Sequence, residues 1–330
     1  MNRSYKLRKD RLAAVLLVIM IPILFCCFCS RHSDKSEKTK AADAGEKLTT
    51  TATIAMPQIA AVTTTTVLPH ISSPSCRAAA LYSVDDKRLL YSDNIDEQVA
   101  PASLTKLLTA SVALKYLSPE DEFTVGTEQS LVHPYSSLAY LEVGSTLTVR
   151  ELITGMLMSS GNDAAYTLAV SAARAAEPDV EMTDQAAVKR FCKLMNSFAA
   201  DIGMKNSNFT TPDGWDDYEQ HTTVSDLLVL AKYALSQKEI MAVAGTYQKD
   251  VELPSGENLT WTNSNLLLDP YGDFYCKEAT GLKTGTTLEA GNSLLASFNI
   301  GGKTYISAVV GCEEDEDRYE LTLKLISEVK

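Results

Sequence analysis

From Cys76 onward, the spacing of hydrophobic and polar positions is typical first of strands, then of helices and then of strands again. The runs "RAAALYSV" and "RLLYS", joined by "DDK", are typical of a β-hairpin. Four later runs carry apolar residues three and four positions apart, which predicts helices: "SLTKLLTASVALKYL", "VRELITGMLM", "AVKRFCKLMNSFAADIGM" and "TTVSDLLVLAKYAL". After Pro254, three runs predict strands, "GLKTGTT", "NSLLASFNI" and "KTYISAVVG", and "RYELTLKLISEV" predicts a closing amphipathic helix.

Strands at both ends of a helical middle indicate the fold class. We expect an α+β domain over 76–330, with one sheet assembled from about 76–100 and 255–330. A helical lobe of about 101–254 is inserted between these two regions. Hydrophobic residues make up 45% of the 330-residue chain, which is enough for a sizeable core.

The N-terminus has a different pattern, in which a basic segment precedes an uncharged one. Five basic residues within 1–11 are followed by 18 uncharged residues from Leu12 to Cys29, about the shortest run that crosses a membrane. Because basic residues stay cytoplasmic, we expect a cytoplasmic tail at 1–11 and a single transmembrane anchor at 12–30. The rest of the chain then lies on the extracytoplasmic side of the cell membrane. Two alternatives stay open: a cleaved signal peptide, which would leave the protein secreted, and a lipid-modified cysteine.

Residues 31–75 and the charge distribution limit the function classes further. This segment is rich in Thr, Ser and Ala and has no sustained helical period, so we expect a disordered linker. Residues 1–75 carry 10 Lys+Arg and 5 Asp+Glu, which leaves 20 basic and 37 acidic residues, a net charge of −17, for 76–330. A domain this acidic cannot neutralise phosphates, which excludes nucleic acid as a partner.

The seven cysteines fall into two groups. Three lie in the apolar N-terminal segment: Cys26, Cys27 and Cys29. Four lie in the part expected outside the cell, where disulfides are permitted, and their spacing leaves three pairings open: Cys76, Cys192, Cys276 and Cys312. The external part has no Cys-x-x-Cys pair, and the chain has no His-Glu-x-x-His motif, so we predict no metal site and no cofactor.

The run "PASLTKLL" places Ser103 and Lys106 three positions apart at the start of a predicted helix. On a helix these positions share a face, and the positive N-terminus favours a serine alkoxide. A partly desolvated lysine beside the hydroxyl can lose its proton and act as a base. The pattern is weak evidence by itself, because Ser327 and Lys330 repeat it in what we interpret as a solvated helix terminus.

Two further patterns strengthen the interpretation. "SSGNDAA" contains Ser160 and Asn162 directly after an apolar helix, on a loop that can lie at the edge of a cleft. "GLKTGTT" contains the one Lys-Thr-Gly of the chain at 283–285, on a predicted strand where glycine lets a ligand approach closely. Other Ser-x-Asn copies at 92–94 and 297–299 are interpreted as structural.

The three motifs in this order resemble those of the penicillin-recognising serine acyl-transferases. The wider resemblance is to the low-molecular-mass D-alanyl-D-alanine carboxypeptidases, carried across about 77–318 by "PASLTKLLTA", "MSSGNDAA", "NSNFTTPDGWDDYEQHTTVSDLLVLAKYAL", "NSNLLL" and "GLKTGTTLEAGNSLLAS". It implies a β-lactamase/transpeptidase-like fold with an antiparallel sheet. It also implies a serine-type D-Ala-D-Ala carboxypeptidase that trims peptidoglycan stem peptides and binds β-lactam antibiotics covalently. Many members have a further β-rich domain and a C-terminal anchor, for which we expect no counterpart here.

The resemblance also implies a role for each motif residue. Ser103 would attack the carbonyl of the penultimate D-Ala and form an acyl-enzyme, while Lys106 takes its proton. Ser160 would pass a proton to the leaving amine, and Asn162 would orient the substrate amide and the lysine. The oxyanion hole would be the backbone N–H groups of Ser103 and Thr286. Lys283 would supply positive charge for the terminal carboxylate of the substrate, in a substrate-binding set of Lys283, Thr284, Gly285 and Thr286.

Three alternatives to the carboxypeptidase stay open. A class A β-lactamase needs a carboxylate for the deacylating water, and no Glu-x-x-Leu-Asn lies between Ser160 and Lys283. A membrane-tethered β-lactam sensor would stay acylated, but it normally needs a longer cytoplasmic segment than 1–11. The third is a non-catalytic cell-wall-binding protein, and the presence of all the motif residues argues against it.

The implied fold also predicts a disulfide. In it, the strand that follows Cys76 lies antiparallel to the strand that ends at Cys312, so the two cysteines face each other. Their Cα atoms would then lie within the roughly 4.4–6.8 Å that a disulfide spans. The alternative is that all four external cysteines are free and mostly buried.

Overall fold

A five-stranded sheet lies at the centre of the computed structural model, which describes residues 75–252, 256 and 258–330. In these residues the strands are β1 (Ala78–Ser83), β2 (Arg88–Asp93), β3 (Glu122–Thr124), β4 (Thr146–Thr148), β5 (Gln248–Glu252), β6 (Asn258–Thr262), β7 (Ala279–Thr287), β8 (Gly291–Ile300) and β9 (Lys303–Cys312). The helices are α1 (Thr105–Tyr116), α2 (Val149–Met158), α3 (Asn162–Ala176), α4 (Asp184–Ile202), α5 (Val224–Leu235), α6 (Lys238–Ala244) and α7 (Asp315–Ser327).

The central sheet combines strands from both ends of the domain, as the sequence predicts. Its order is β2-β1-β9-β8-β7, and every neighbouring pair is antiparallel. The two regions join where β1 lies beside β9, with Ala78 opposite Val310. The predicted α+β fold with an antiparallel sheet and inserted helices is therefore confirmed.

Both faces of the sheet are buried, because successive side chains of a strand point in opposite directions. In β1, Ala78, Ala80 and Tyr82 belong to the larger core shared with the helical lobe. Ala79 and Leu81 belong to a second core, shared with α7. Helix α5 packs against β1 and β9 on one face, and α7 packs against β8 and β9 on the other. The result is three layers, with the sheet in the middle.

Local signals start and stop the helices of the lobe. Thr148 begins α2 with a capping box that it shares with Glu151, and Thr223 caps α5 by accepting from the N–H of Asp226. Gly203 ends α4 in the left-handed region, at φ 101°. Helix α3, with the sequence "NDAAYTLAVSAARAA", was not predicted, because its first residues were assigned to the loop that carries Ser160. The two small two-stranded sheets, β3–β4 and β5–β6, were also missed.

The predicted disulfide is present between Cys76 and Cys312 and is therefore confirmed. Its Cα atoms lie 3.8 Å apart, closer than the predicted range, at a point where the backbones of β1 and β9 run side by side. The N–H of Glu313 donates to the carbonyl of Ser75 (2.9 Å), which continues this pairing past the bridge. Cys192 and Cys276 are free and buried.

The tail at 1–11, the anchor at 12–30 and nearly all of the linker at 31–75 lie outside the described residues. Among the residues that are described, no helix is both long and apolar enough to cross a membrane.

We expect the disulfide to stabilise the domain measurably, because it joins residues 236 positions apart and so restricts the unfolded chain. The double variant Cys76→Ser/Cys312→Ser should lower the free energy of unfolding by about 2–5 kcal/mol, measured by urea denaturation. A dithiol reductant should lower the stability of the wild type and leave that of the double variant unchanged. Equal losses in both proteins would contradict the prediction.

Candidate active site

Ser103 lies in a short 3-10 helix, Ala102–Leu104, that runs directly into α1. Both of its neighbours are fully buried, whereas Ser103 itself is partly exposed. Ala102 adopts φ 46°, a left-handed conformation that is uncommon for a residue with a side chain. The turn therefore presents one hydroxyl to solvent at the N-terminus of a buried helix.

Lys106 is completely buried, and its amino group contacts three different segments. Its Nζ donates to Ser103 Oγ (2.8 Å), to Asn162 Oδ1 (2.7 Å) and to the backbone carbonyl of Asp213 (2.9 Å). The structure thus brings together three of the predicted residues, Ser103, Lys106 and Asn162, at hydrogen-bond distance.

This arrangement determines what a neutral amine can do. The Asn162 oxygen and the Asp213 carbonyl only accept, whereas the Ser103 hydroxyl can also donate. A neutral Lys106 can satisfy both obligate acceptors with its two protons and direct its lone pair at the serine proton. The geometry therefore suits proton abstraction from Ser103.

Burial makes the neutral form accessible. It lowers the pKa of Lys106 from 10.5 to about 8, while the negative charges of Asp213 and Asp163 oppose the change. When the pKa of a base lies near the ambient pH, a substantial fraction of it is unprotonated and it is still basic enough to take a proton.

The loop between α2 and α3 carries the second motif. Ser160 turns the chain at φ 58° and is 8% exposed, and its hydroxyl has no hydrogen-bond partner among the described residues. The N–H of Asn162 donates to the carbonyl of Ser137 (2.8 Å). The buried Asp163 carboxylate accepts from the N–H groups of Ala139 (2.8 Å) and Leu141 (3.0 Å). These bonds fix the start of α3, so that Asn162 reaches Lys106.

Lys283 lies on β7 and is also buried, with its Nζ donating to Ser264 Oγ at 3.2 Å. Burial lowers the pKa of Lys283 well below its usual value, and the charges of Lys106 and Arg318 lower it further. The hydroxyl of Thr284 lies 2.6 Å from that of Ser264. Ser264 in turn donates its N–H to the last residue of α2, which ties this part of β7 to the helix before Ser160.

Gly285 lets β7 approach the turn that carries Ser103. A Cβ at this position would lie 3.0 Å from the Cβ of Ala102 and 3.1 Å from the backbone nitrogen of Ser103, which is tighter than ordinary packing. The buried guanidinium of Arg318 donates to the carbonyl of Gly285 (3.3 Å) and to Thr286 Oγ1 (3.2 Å). Thr286 therefore lies beside the 3-10 helix, at the end of the strand that Arg318 holds.

The loop that carries Asp213 meets a second loop of the lobe through an aromatic stack. The ring centroids of His133 and Trp215 lie 3.9 Å apart. A cavity of about 520 Å³ on the His133 side of this stack is lined by residues of 129–142 and by Asp163, and not by Ser103, Lys106 or Lys283. Across residues 75–252, 256 and 258–330, no three His, Cys, Asp or Glu side chains form a group that could hold a metal ion.

Comparison with known proteins gives the family. The model of the D-alanyl-D-alanine carboxypeptidase family matches residues 62–314, more than half of the chain. The chain belongs to this family.

Individual carboxypeptidases give the same result. The chain is 31% identical to the D-alanyl-D-alanine carboxypeptidase DacC of Escherichia coli, over 78% of this chain and 62% of that protein. It is 28% identical to DacF of Bacillus subtilis, over 76% of this chain and 61% of that protein. The chain thus spans about three fifths of the length of these curated relatives. It is also 30% identical to a D-alanyl-D-alanine carboxypeptidase of Streptomyces sp. strain K15, of which it covers 82%.

Solved structures support the fold. The Streptomyces K15 DD-transpeptidase superposes with a TM-score of 0.69 at 28% identity, covering 78% of this chain and 98% of that one. Penicillin-binding protein D2 of Listeria monocytogenes, in its ampicillin-bound form, has a TM-score of 0.64 at 29% identity, covering 79% and 98%.

Several residues of this carboxypeptidase-family site were not found from the sequence. Asp213 accepts from Lys106 through its backbone carbonyl. Every residue type has such a carbonyl, so the sequence does not reveal this contact. Ser264 and Arg318 reach β7 from segments 19 and 33 positions away. Two stretches quoted for the resemblance contain such residues, "TPDGWDD" with Asp213 and "NSNLLL" with Ser264, but neither shows which contact its residue makes.

The lowered pKa of Lys106 predicts a stability change with pH. Between about pH 8 and 10.5 the unfolded chain binds a proton at Lys106 and the folded chain does not, so stability rises with pH. Relative to Lys106→Met, which cannot titrate, the wild type should gain about 3 kcal/mol across this window. Urea denaturation of both proteins at matched pH values measures the difference. A constant or falling difference would contradict burial of an ionisable amine.

Proposed function

We propose that the chain is a serine-type D-alanyl-D-alanine carboxypeptidase that removes the terminal D-Ala of peptidoglycan stem peptides. The observation that carries the proposal is the buried amine of Lys106, bonded at once to Ser103 Oγ and Asn162 Oδ1. Family membership supports the same reading.

Acylation follows from this geometry. Ser103 Oγ attacks the carbonyl carbon of the penultimate D-Ala while Lys106 Nζ accepts the hydroxyl proton. The negative oxygen that develops faces the backbone N–H groups of Ser103 and Thr286, which the close approach of Gly285 supports. The peptide C–N bond breaks as Ser160 gives its proton to the leaving amine and regains the proton that Lys106 took from Ser103, and free D-Ala departs. Water then attacks the ester and gives one proton to Lys106, which returns it to Ser103 Oγ as the ester bond breaks.

The substrate carboxylate needs a local cation, because the domain carries a net charge of −17. Lys283 is a buried amine on the strand beside Ser103, and a bound carboxylate would favour its charged form. Arg318, also buried, holds the end of the same strand. We assign binding of the terminal carboxylate to Lys283, with Thr284 and Thr286 lining that end of the cleft.

Attachment and location are part of the proposal. The basic tail and uncharged run at 1–30 support a single membrane anchor with the domain on the extracytoplasmic side. The Cys76–Cys312 disulfide supports an oxidising, extracytoplasmic location.

Covalent trapping tests the nucleophile. Penicillin should add its full mass to the full-length chain at Ser103, because a β-lactam presents a strained amide to the same hydroxyl. Ser103→Ala should form no adduct by mass spectrometry. Ser327→Ala, which alters the second Ser-x-x-Lys, is the matched control and should be acylated at the wild-type rate. An adduct on Ser103→Ala would rule out this assignment.

The fate of the acyl-enzyme separates the proposal from its alternatives. A carboxypeptidase releases D-Ala from a diacetylated Lys-D-Ala-D-Ala tripeptide with repeated turnover. A β-lactam sensor stays acylated and releases no D-Ala, and a wall-binding protein forms no adduct. A β-lactamase hydrolyses penicillin rapidly and does not turn over the tripeptide.

Lys283 should distinguish substrates by their terminal charge. Lys283→Ala should reduce kcat/KM about 100-fold for the free tripeptide and much less for its C-terminal amide, because a charge-assisted hydrogen bond is lost only with the former. Release of the C-terminal product is measured for both substrates. The control is Lys303→Ala, an exposed strand lysine paired with Asp86, which should leave both rates unchanged. Equal losses on the two substrates would indicate a structural role for Lys283.

A further inference from the structure

The loop before α5 places a buried carboxylate beside Lys106 that the mechanism above does not use. Asp213 is 1% exposed, and its backbone carbonyl accepts from Lys106 Nζ at 2.9 Å. Its side-chain Oδ1 accepts from the N–H of Trp215 at 3.1 Å. The other oxygen, Oδ2, is buried and has no hydrogen-bond partner among the described residues. A buried carboxylate with one unpartnered oxygen is costly, which calls for a compensating role.

The neighbouring glycine fixes the loop in this position. Gly214 adopts φ 85°, and a Cβ there would lie 1.8 Å from the carbonyl oxygen of Ala102. Only glycine permits both the conformation and the contact. Asp213 is therefore locked against the residue that precedes the nucleophile.

We propose that the Asp213 carboxylate is the counter-charge of Lys106, a positioning residue that sets the protonation of this lysine and hence the pH range in which Ser103 reacts. The inference rests on the proposed function, in which Lys106 is the base.

Other charged groups also face Lys106, and they differ from Asp213 in the sign of their charge or in their hydrogen-bond partners. From α3, Asp163 is negative, but its two oxygens accept three backbone N–H groups, those of Ala139, Leu141 and Ala164. From β7, Lys283 is a second buried amine whose charge is coupled to that of Lys106, and Arg318 acts on Lys283 in turn. Asp163 thus organises its loop, whereas Asp213 has one backbone bond and a free oxygen.

Electrostatics around the loop agrees with this assignment. Asp213 raises the pKa of Lys106 against the effect of burial. On its other side lie Tyr166 and Cys192; burial is the main cause that raises the pKa of each, and Asp213 raises both further. These two groups therefore stay neutral, so the carboxylate has Lys106 as its cationic neighbour. Without the charge of Asp213, the protonated form of Lys106 would be less stable, so the pKa of Lys106 would fall and the free amine would form at lower pH.

The test is the pH dependence of Ser103 acylation in the full-length chain. With penicillin, the rate of adduct formation is measured by mass spectrometry between pH 5 and 10 for the wild type, Asp213→Asn and Asp217→Asn. The asparagine at 213 keeps the acceptor for Trp215 and removes the charge. We expect the acid limb of its profile to move down by about one pH unit. Asp217→Asn alters an exposed carboxylate of the same loop and should not move the limb.

An acid limb that stays in place, or that moves up, in folded Asp213→Asn would overturn the inference. Asp213→Glu, which restores the charge, should return the limb toward that of the wild type. If Asp213→Asn unfolds, as judged by circular dichroism, Asp213→Ser removes the same charge and is read in the same way.

A direct titration keeps the inference testable apart from the proposed function. The Nζ-linked carbon of Lys106, labelled with ¹³C and assigned by comparison with Lys106→Arg, reports its pKa by NMR in the full-length chain. A lower value in the Asp213 variant supports the inference even if no acylation occurs. An unchanged value refutes it, whereas absence of the wild-type adduct refutes only the proposed function.

Discussion

The buried amine of Lys106 is the interaction on which the rest of the site depends. Its three acceptors come from three separate segments: the turn before α1, the start of α3 and the loop before α5. An amine at this depth without these partners would be strongly unfavourable, so each segment must be in place before the lysine is tolerated. One side chain therefore couples the packing of the lobe to the geometry of Ser103.

The cost of burying an amine also explains which groups surround the basic side chains of the site. Two lysines and an arginine are buried together in a domain whose net charge is −17. Burial lowers the pKa of both lysines, and each is held by oxygen acceptors and not by a direct ion pair. A direct ion pair would hold Lys106 protonated and remove the free amine on which the proposed function depends. Neutral acceptors at hydrogen-bond distance, with the charge of Asp213 acting beside them, keep it close to its titration point.

The sequence predicts the elements well and their long-range contacts poorly. The motif residues Ser103, Lys106 and Asn162 were identifiable because spacing and element type constrain them locally. Ser264 and Asp213 were not, because a hydroxyl that partners Lys283 and a carbonyl that accepts from Lys106 depend on the tertiary fold. The antiparallel register of β1 and β9 followed only from the family resemblance, and so did the Cys76–Cys312 bridge. Helix α3 was missed because its first residues were assigned to the loop that carries Ser160.

The site also depends on how the two halves of the domain meet. The sheet carries Lys283 and Gly285, while the lobe carries Ser103, Lys106 and Asn162. Gly285 approaches Ala102 so closely that a single added methyl group would force one half away from the other by tenths of an ångström. Interiors pack as densely as crystals, so this separation cannot be absorbed locally. The distance between the strand that carries Lys283 and the turn that carries Ser103 is therefore set by van der Waals contact.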